Sequence, residues 1–238
     1  MKLMKFIAGI DEAGRGPVIG PLVIAGILVE ESSIPRLVDM GVKDSKKLTP
    51  RRREILRTAI MKTAKLHCIE ILEAAVIDDT RRVKNLNQLE AEMMAKILDS
   101  LQPDLAQVGS ADVIPSRFKE MILSGMRSPV EIQSVHHAED LFPAVAAASI
   151  IAKTTRDRIV ASMRQEFGDF GSGYPSDPKT RVFISEWYLR RGSLPQIVRK
   201  SWKTVESIAR AAYVERRNPP RDWTERVSLR RGHGGKLE

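Results

Sequence analysis

The chain has 238 residues, 42% of them apolar and 29% charged, which suits one generous globular domain or one domain with an appendage and excludes disorder throughout. Lys and Arg number 39 against 30 acids, a net charge of +9, and from Arg199 onward eleven Lys/Arg face five Asp/Glu, the pattern of a polyanion-binding extension or of a solvated basic tail. A lone cysteine, Cys68, excludes an internal disulfide and a cysteine-rich metal site, and the longest apolar stretch, Pro17 to Val29, is too short and too rich in Gly and Pro to span a membrane, so a cytoplasmic protein is expected.

Taken in order, Phe6 to Ile10 and Leu22 to Val29 have the branched, apolar character of buried strands, with a turn from Asp11 to Gly20 between them. Pro50 opens a helix that Thr49 is placed to cap. Leu66 to Leu72 is a strand. Asn87 to Leu101 is a helix with Leu89, Met93, Ile97 and Leu101 four apart on one face. Leu105 to Val108 is a short strand after Pro103, Pro115 to Leu123 a helix, and Val130 to Val135 a last strand. Three helices follow, over Ala144 to Glu166, Pro178 to Arg190 (with Asp177 as its N-cap) and Trp202 to Arg216, before Asn218-Pro219-Pro220 stops the pattern. Strands early and helices late predict a mixed α/β sheet with a helical C-terminal region. The expected organisation is a domain over 1–198, a helix packed on it over 199–217, and a flexible basic tail over 218–238.

The segment Gly9-Ile10-Asp11-Glu12-Ala13-Gly14-Arg15-Gly16-Pro17 carries most of the chemistry. Adjacent carboxylates at the end of a buried strand are costly without a cation, and a hard divalent ion such as Mg²⁺ favours carboxylate oxygens. Gly14 and Gly16 leave backbone N–H groups open to close approach by a phosphate or a ribose, with Arg15 between them. A surface acidic turn without function is the bland alternative. A dinucleotide fingerprint is excluded, because Pro17, Pro21 and a branched run follow where a helix should open.

Five blocks in order then resemble archaeal ribonuclease HII: Gly9 to Gly16, Asp44-Ser-Lys-Lys-Leu-Thr49, Ala146-Ala-Ala-Ser-Ile-Ile-Ala-Lys153, Gly171-Ser-Gly-Tyr-Pro-Ser-Asp177 and Trp202-Lys-Thr204. The resemblance implies a ribonuclease H-like sheet flanked by helices. It also implies metal-assisted hydrolysis of the phosphodiester 5′ of a ribonucleotide, in RNA–DNA hybrids or in duplex DNA with embedded ribonucleotides. Four carboxylates would hold two Mg²⁺ or Mn²⁺ ions about 3.5–4 Å apart. Asp11 and Glu12 match the first two ligands and Glu139 the fourth, where the family has Asp. At the third, the family's Asp is replaced by Gly109, and Asp112 does not align as its substitute. Catalytic and metal roles thus fall to Asp11, Glu12 and Glu139, with weak or absent cleavage expected in ordinary Mg²⁺. Substrate binding falls to Gly14, Arg15, Gly16, Lys46 and Tyr174, the tyrosine stacking on the sugar and the glycine turn sensing the 2′-hydroxyl. His136 and His137 are expected to support the site rather than bind metal. The competing reading is a module that binds ribonucleotide–DNA junctions without cutting them. A monomer is expected. Val227 to Glu238 lacks any aromatic residue, so no sliding-clamp contact is expected.

Overall fold

A computed structural model describes residues 4–43 and 48–217. Five strands and nine helices among them run β1 Phe6–Ala13, β2 Leu22–Glu30, α1 Ile34–Asp39, α2 Pro50–Thr63, β3 Leu66–Leu72, α3 Ala74–Thr80, α4 Leu86–Leu101, β4 Leu105–Gly109, α5 Pro115–Gly125, β5 Glu131–Val135, α6 Ala138–Leu141, α7 Pro143–Phe167, α8 Pro178–Arg191 and α9 Lys203–Arg217. The sheet order is β3-β2-β1-β4-β5. β2 is antiparallel to β1 and β3, while β1, β4 and β5 are parallel. This is the expected mixed α/β sheet flanked by helices.

Alternation along the central strands feeds two cores, as a pleated strand requires. Ala8, Ile10, Leu22, Ile24 and Leu28 face α4 and α5, packing on Leu89, Met94, Ile97, Phe118 and Ile122. Ile7, Val23, Ala25, Ile27 and Val29 face the other way, onto Ala144, Ala147, Ile150 and Ile151 of α7 and Leu56 and Ile60 of α2. A third cluster joins Val18, Ile19, Phe170, Ile184, Val198, Val205 and Ile208, so α8 and α9 pack over the segment that follows β1. Gly9 lets α7 cross directly on the sheet, since a Cβ there would overlap the backbone of Ala144.

The helix starts follow local chemistry. The Thr49 hydroxyl accepts from Arg52 N–H at 3.3 Å, and Asp177 accepts from Lys179 N–H at 2.9 Å. Asn85, two residues ahead of the expected start, closes a reciprocal cap with Gln88 on α4.

Two expectations are corrected. The first strand does not end at Ile10: it pairs with β2 as far as Ala13↔Val23, because each antiparallel bond gained outweighs the local turn preference of the glycines. Two short helices, α1 and α3, also precede β4 where the sequence offered none. The motif Asp44 to Lys47, with Lys46, and the basic segment 218–238 lie outside the described residues. No helix among the described residues is long and apolar enough to cross a membrane.

Candidate active site

The last β1–β4 pairing is Ile10↔Val108, so the sheet opens just beyond it, at the carboxyl ends of two parallel strands. A cavity of about 520 Å³ lies there. Asp11, Glu12, Gly14, Arg15, Gly16, Gly109, Glu139 and Tyr174 all line it, together with His136, His137, Ser149, Lys153 and Arg156. Every site residue expected from the sequence is therefore gathered in one place except Lys46, which is not described.

Because β1 continues past the acidic pair, Asp11 and Glu12 leave the strand on opposite faces. Asp11 turns toward α7, where it meets the Ser149 side chain and feels Glu139. Glu12 turns toward α4 and feels Glu90. Both still line the same cavity, close enough for the charge of Glu12 to act on Asp11. Burial raises Asp11 well above the ordinary carboxylate range, with the charges of Glu12 and Glu139 adding to it. Burial followed by the charge of Glu90 raises Glu12 to about 7. Two carboxyls buried against each other are costly to ionise, and a bound cation would offset that cost.

Gly109 stands beside Asp11 in the parallel register. An added Cβ would lie 3.0 Å from Asp11 Oδ1 and, chain neighbours aside, meet nothing else within 4 Å. The position thus faces the acidic pair and contributes only backbone. Glu139 lies in the first turn of the short α6, and its carboxylate, that of Asp140 and the His137 imidazole place ligand atoms within 4.8 Å of one another. His137 lines the cavity, whereas Asp140 does not. Asp112 is excluded as a replacement ligand. Its carboxylate accepts from Arg117 Nε at 3.1 Å, Ile114 N at 2.9 Å and Asn87 Nδ2 at 2.8 Å, and these donors hold its pKa down at about 2. The His136 Nε2 lies 2.8 Å from the Asp112 carbonyl. Asp11, Glu12 and Glu139 share the cavity, whereas among the described residues the three ligand atoms found within 4.8 Å of one another belong to His137, Glu139 and Asp140.

The glycine turn is built from outside itself. Gly14 has φ +93°, where a Cβ would overlap the Arg156 side chain, so only glycine fits. The Arg15 guanidinium is turned away from the cavity mouth, binding the buried Glu90 carboxylate and Asn87 Oδ1 on α4. At this position it is the backbone that is left to a ligand. Arg199, fully buried, donates to the carbonyls of Gly14, Arg15 and Gly20. Burial and the nearby Arg156 lower its pKa to about 9. Tyr174 sits on a neighbouring turn tied to the same segment, since Val18 N–H donates to Gly173 O at 2.7 Å. Tyr174 is 46% exposed, and its ring lies 3.3 Å from where a Cβ on Gly16 would be. A flat aromatic face therefore adjoins the open backbone of the turn.

Sequence reasoning missed Glu90, Asn87, Ser149 and Arg199. Asn87 and Glu90 sit one turn apart on a helix otherwise read for its apolar stripe, and a charged residue there reads as solvated. The Ser149 position was visible inside the Ala146 to Lys153 block but carried no role.

Comparison with known proteins gives the family and the fold. Residues 8–205 match the family model for ribonuclease HII. The chain is 47% identical over 220 residues to the ribonuclease HII of Thermococcus kodakarensis, spanning 92% of this chain and 96% of that one. The crystal structure of ribonuclease H2 from Pyrococcus horikoshii OT3 superposes with a TM-score of 0.83 at 43% identity, over 87% of this chain and 99% of that one. The ribonuclease HII of Archaeoglobus fulgidus, solved in complex with PCNA, superposes at 0.76 with 42% identity, over 83% of this chain and 95% of that one.

Proposed function

The chain belongs to the ribonuclease HII family and is an endoribonuclease of that type, and on that premise we propose that it recognises a ribonucleotide within a duplex through the Gly14–Gly16 turn and Tyr174, and cleaves 5′ of it with the carboxylates Asp11, Glu12 and Glu139. The observation that carries this reading is the meeting, in one cavity, of a buried acidic pair with an open glycine turn and an exposed aromatic face.

Each residue has a physical task. Tyr174 offers a face for the sugar beside the turn, and N–H groups of the turn meet the 2′-hydroxyl, the one group that separates RNA from DNA there. Lys153 and Arg156, on α7, add positive charge to the cavity wall for the phosphate backbone. Asp11 and Glu12 sit where the scissile phosphate would approach, and Ser149 orients Asp11. A divalent cation, Mg²⁺ or Mn²⁺, held by Asp11, Glu12 and Glu139 would neutralise the negative charge that builds on the phosphate. At neutral pH Glu12 is poised between its charged and neutral forms, so cation binding there also releases a proton.

Gly109 argues for low activity. It leaves the cavity without a carboxylate beside Asp11, and the longer Glu139 reaches in from a different distance than Asp would; misplacement of about 1 Å can cost about 10²-fold. The same glycine favours a second reading, a binder of ribonucleotide–DNA junctions that does not cut. A nicking assay on a duplex with one embedded ribonucleotide, run in Mg²⁺ and in Mn²⁺, separates the two. Slow, metal-dependent cleavage on the 5′ side supports the enzyme. Selective binding with no cleavage in either metal supports the binder.

A further inference from the structure

Residues 197–201 form a strap beneath the glycine turn. Gly20 N–H donates to Ile197 O at 2.9 Å, and Arg199 N–H donates to Val18 O at 2.9 Å. The Asp78 carboxylate anchors the far end, accepting from Lys200 N at 2.8 Å and Ser201 N at 2.9 Å. At the centre, the guanidinium of Arg199 is sealed from solvent with one face on the Trp202 ring, 5.0 Å from its centroid. Its Nη2 donates to Gly14 O at 2.6 Å, Nη1 to Arg15 O at 3.0 Å and Nε to Gly20 O at 3.0 Å. A buried cation whose direct partners are neutral carbonyls is expensive, and an apolar side chain would fill the same space at lower cost.

Peptide geometry says what that cost secures. In a trans peptide the C=O and the following N–H point in opposite directions. Drawing the Gly14 and Arg15 carbonyls down onto Arg199 therefore turns the N–H groups of Arg15 and Gly16 upward, and both residues line the cavity beside Tyr174. The Arg15 side chain, bound to Glu90 and Asn87, holds the same peptides from the α4 side.

We propose that Arg199 is a specificity-determining positioning residue, which presents the Arg15 and Gly16 N–H groups as a preset donor pair to the 2′-hydroxyl oxygen of a ribonucleotide in the duplex. The proposal rests on the reading that this cavity takes a ribonucleotide, and adds the residue that makes the turn selective. A free pair of N–H donors could also meet a phosphate oxygen, but a phosphate contact would be the same for RNA and DNA.

The test compares the full chain with Arg199→Lys, which keeps the cation but has one nitrogen where three carbonyls need donors. Affinities are measured in chelator, without cleavage, for a duplex carrying one ribonucleotide and for the all-DNA duplex of the same sequence. Binding to the first should fall about 10-fold, the worth of about one hydrogen bond, with the second little changed. Phe118→Leu, on the core face of α5, should lower the melting temperature and keep the preference. In the unmodified protein, the amide protons of Arg15 and Gly16 should shift downfield on adding the ribonucleotide duplex and not on adding the DNA duplex. This measurement decides the matter if Arg199→Lys does not fold. An unchanged preference in a folded Arg199→Lys, equal weakening toward both duplexes, or amides that respond alike to both would overturn the proposal. If the unmodified chain itself shows no preference, the underlying reading of the cavity falls with it.

Discussion

Gly109→Asp places a carboxylate next to Asp11 and tests the acidic site from two sides. Gly109 is not among the positive-φ glycines, so an aspartate meets no backbone strain there. Its Cβ would lie 3.0 Å from Asp11 Oδ1, close enough that Asp11 must give slightly. Two unit charges about 4 Å apart repel by about 4 kcal/mol at an effective dielectric near 20. Slight movement of the Asp11 carboxylate away from the new side chain relieves part of this, which brings the net penalty to about 2 kcal/mol. In chelator the variant should therefore melt roughly 4–8 °C lower. Millimolar Mg²⁺ or Mn²⁺ should reverse the loss, because a cation that binds only the folded state at 100 times its Kd contributes about 2.7 kcal/mol. Nicking of a duplex with one ribonucleotide should rise by about 10²-fold and saturate at lower metal concentration. The measurements are thermal melts at pH 7 with and without metal, and initial nicking rates across a metal titration. If the melting temperature in chelator does not move and the unmodified chain already nicks as fast as the variant, the argument about Gly109 is wrong, and Asp140 becomes the carboxylate to mutate.

Stability in chelator should fall as pH rises from about 4.5 to about 7, because Glu12 and Glu90 both sit at about 7 in the folded chain and the unfolded chain has already released those protons. Asp112, held at about 2, acts with the opposite sign and only below about pH 4, so a flat or rising melting temperature across the upper window would contradict the assignment. Glu90→Gln should remove the charge partner of Arg15 at a cost of about 2 kcal/mol while flattening that same pH dependence, both read from melts between pH 4.5 and 8. Tyr174→Ala should leave the melting temperature within a few degrees and reduce the preference for a ribonucleotide-containing duplex over DNA by about 10-fold, and an equal preference before and after would remove the ring from the site.

The order and type of the main elements were legible in the sequence because each is announced locally. Thr49-Pro50 and Asp177-Pro178 mark helix starts by side-chain capping, and Leu22 to Val29 alternates between two cores, which only a strand buried on both faces does. The short helices α1, α3 and α6 carried no such signal, since a few helical residues gain too little by themselves to be favoured without packing. Asp11 and Glu12 could be picked out because adjacent acids next to an apolar strand need a partner. That they leave opposite faces, toward Ser149 and toward Glu90, depends on β1 continuing to Ala13, which the pairing with β2 decides. Gly109 was readable as a missing carboxylate; that its backbone would accept one, with Asp11 Oδ1 in reach, needed the parallel register of β1 and β4. Glu90 and Arg199 were hidden for the same reason. In a sequence a charged side chain is solvated by default, and its burial is a property of what packs around it. The helix α4 and the strap at 197–201, distant along the chain, close over Arg15 and Gly14 only once the sheet and α9 are in place. Local chemistry sufficed to name the groups that could act, and the tertiary packing alone decided which of them are charged, which are held, and which way the backbone between them faces.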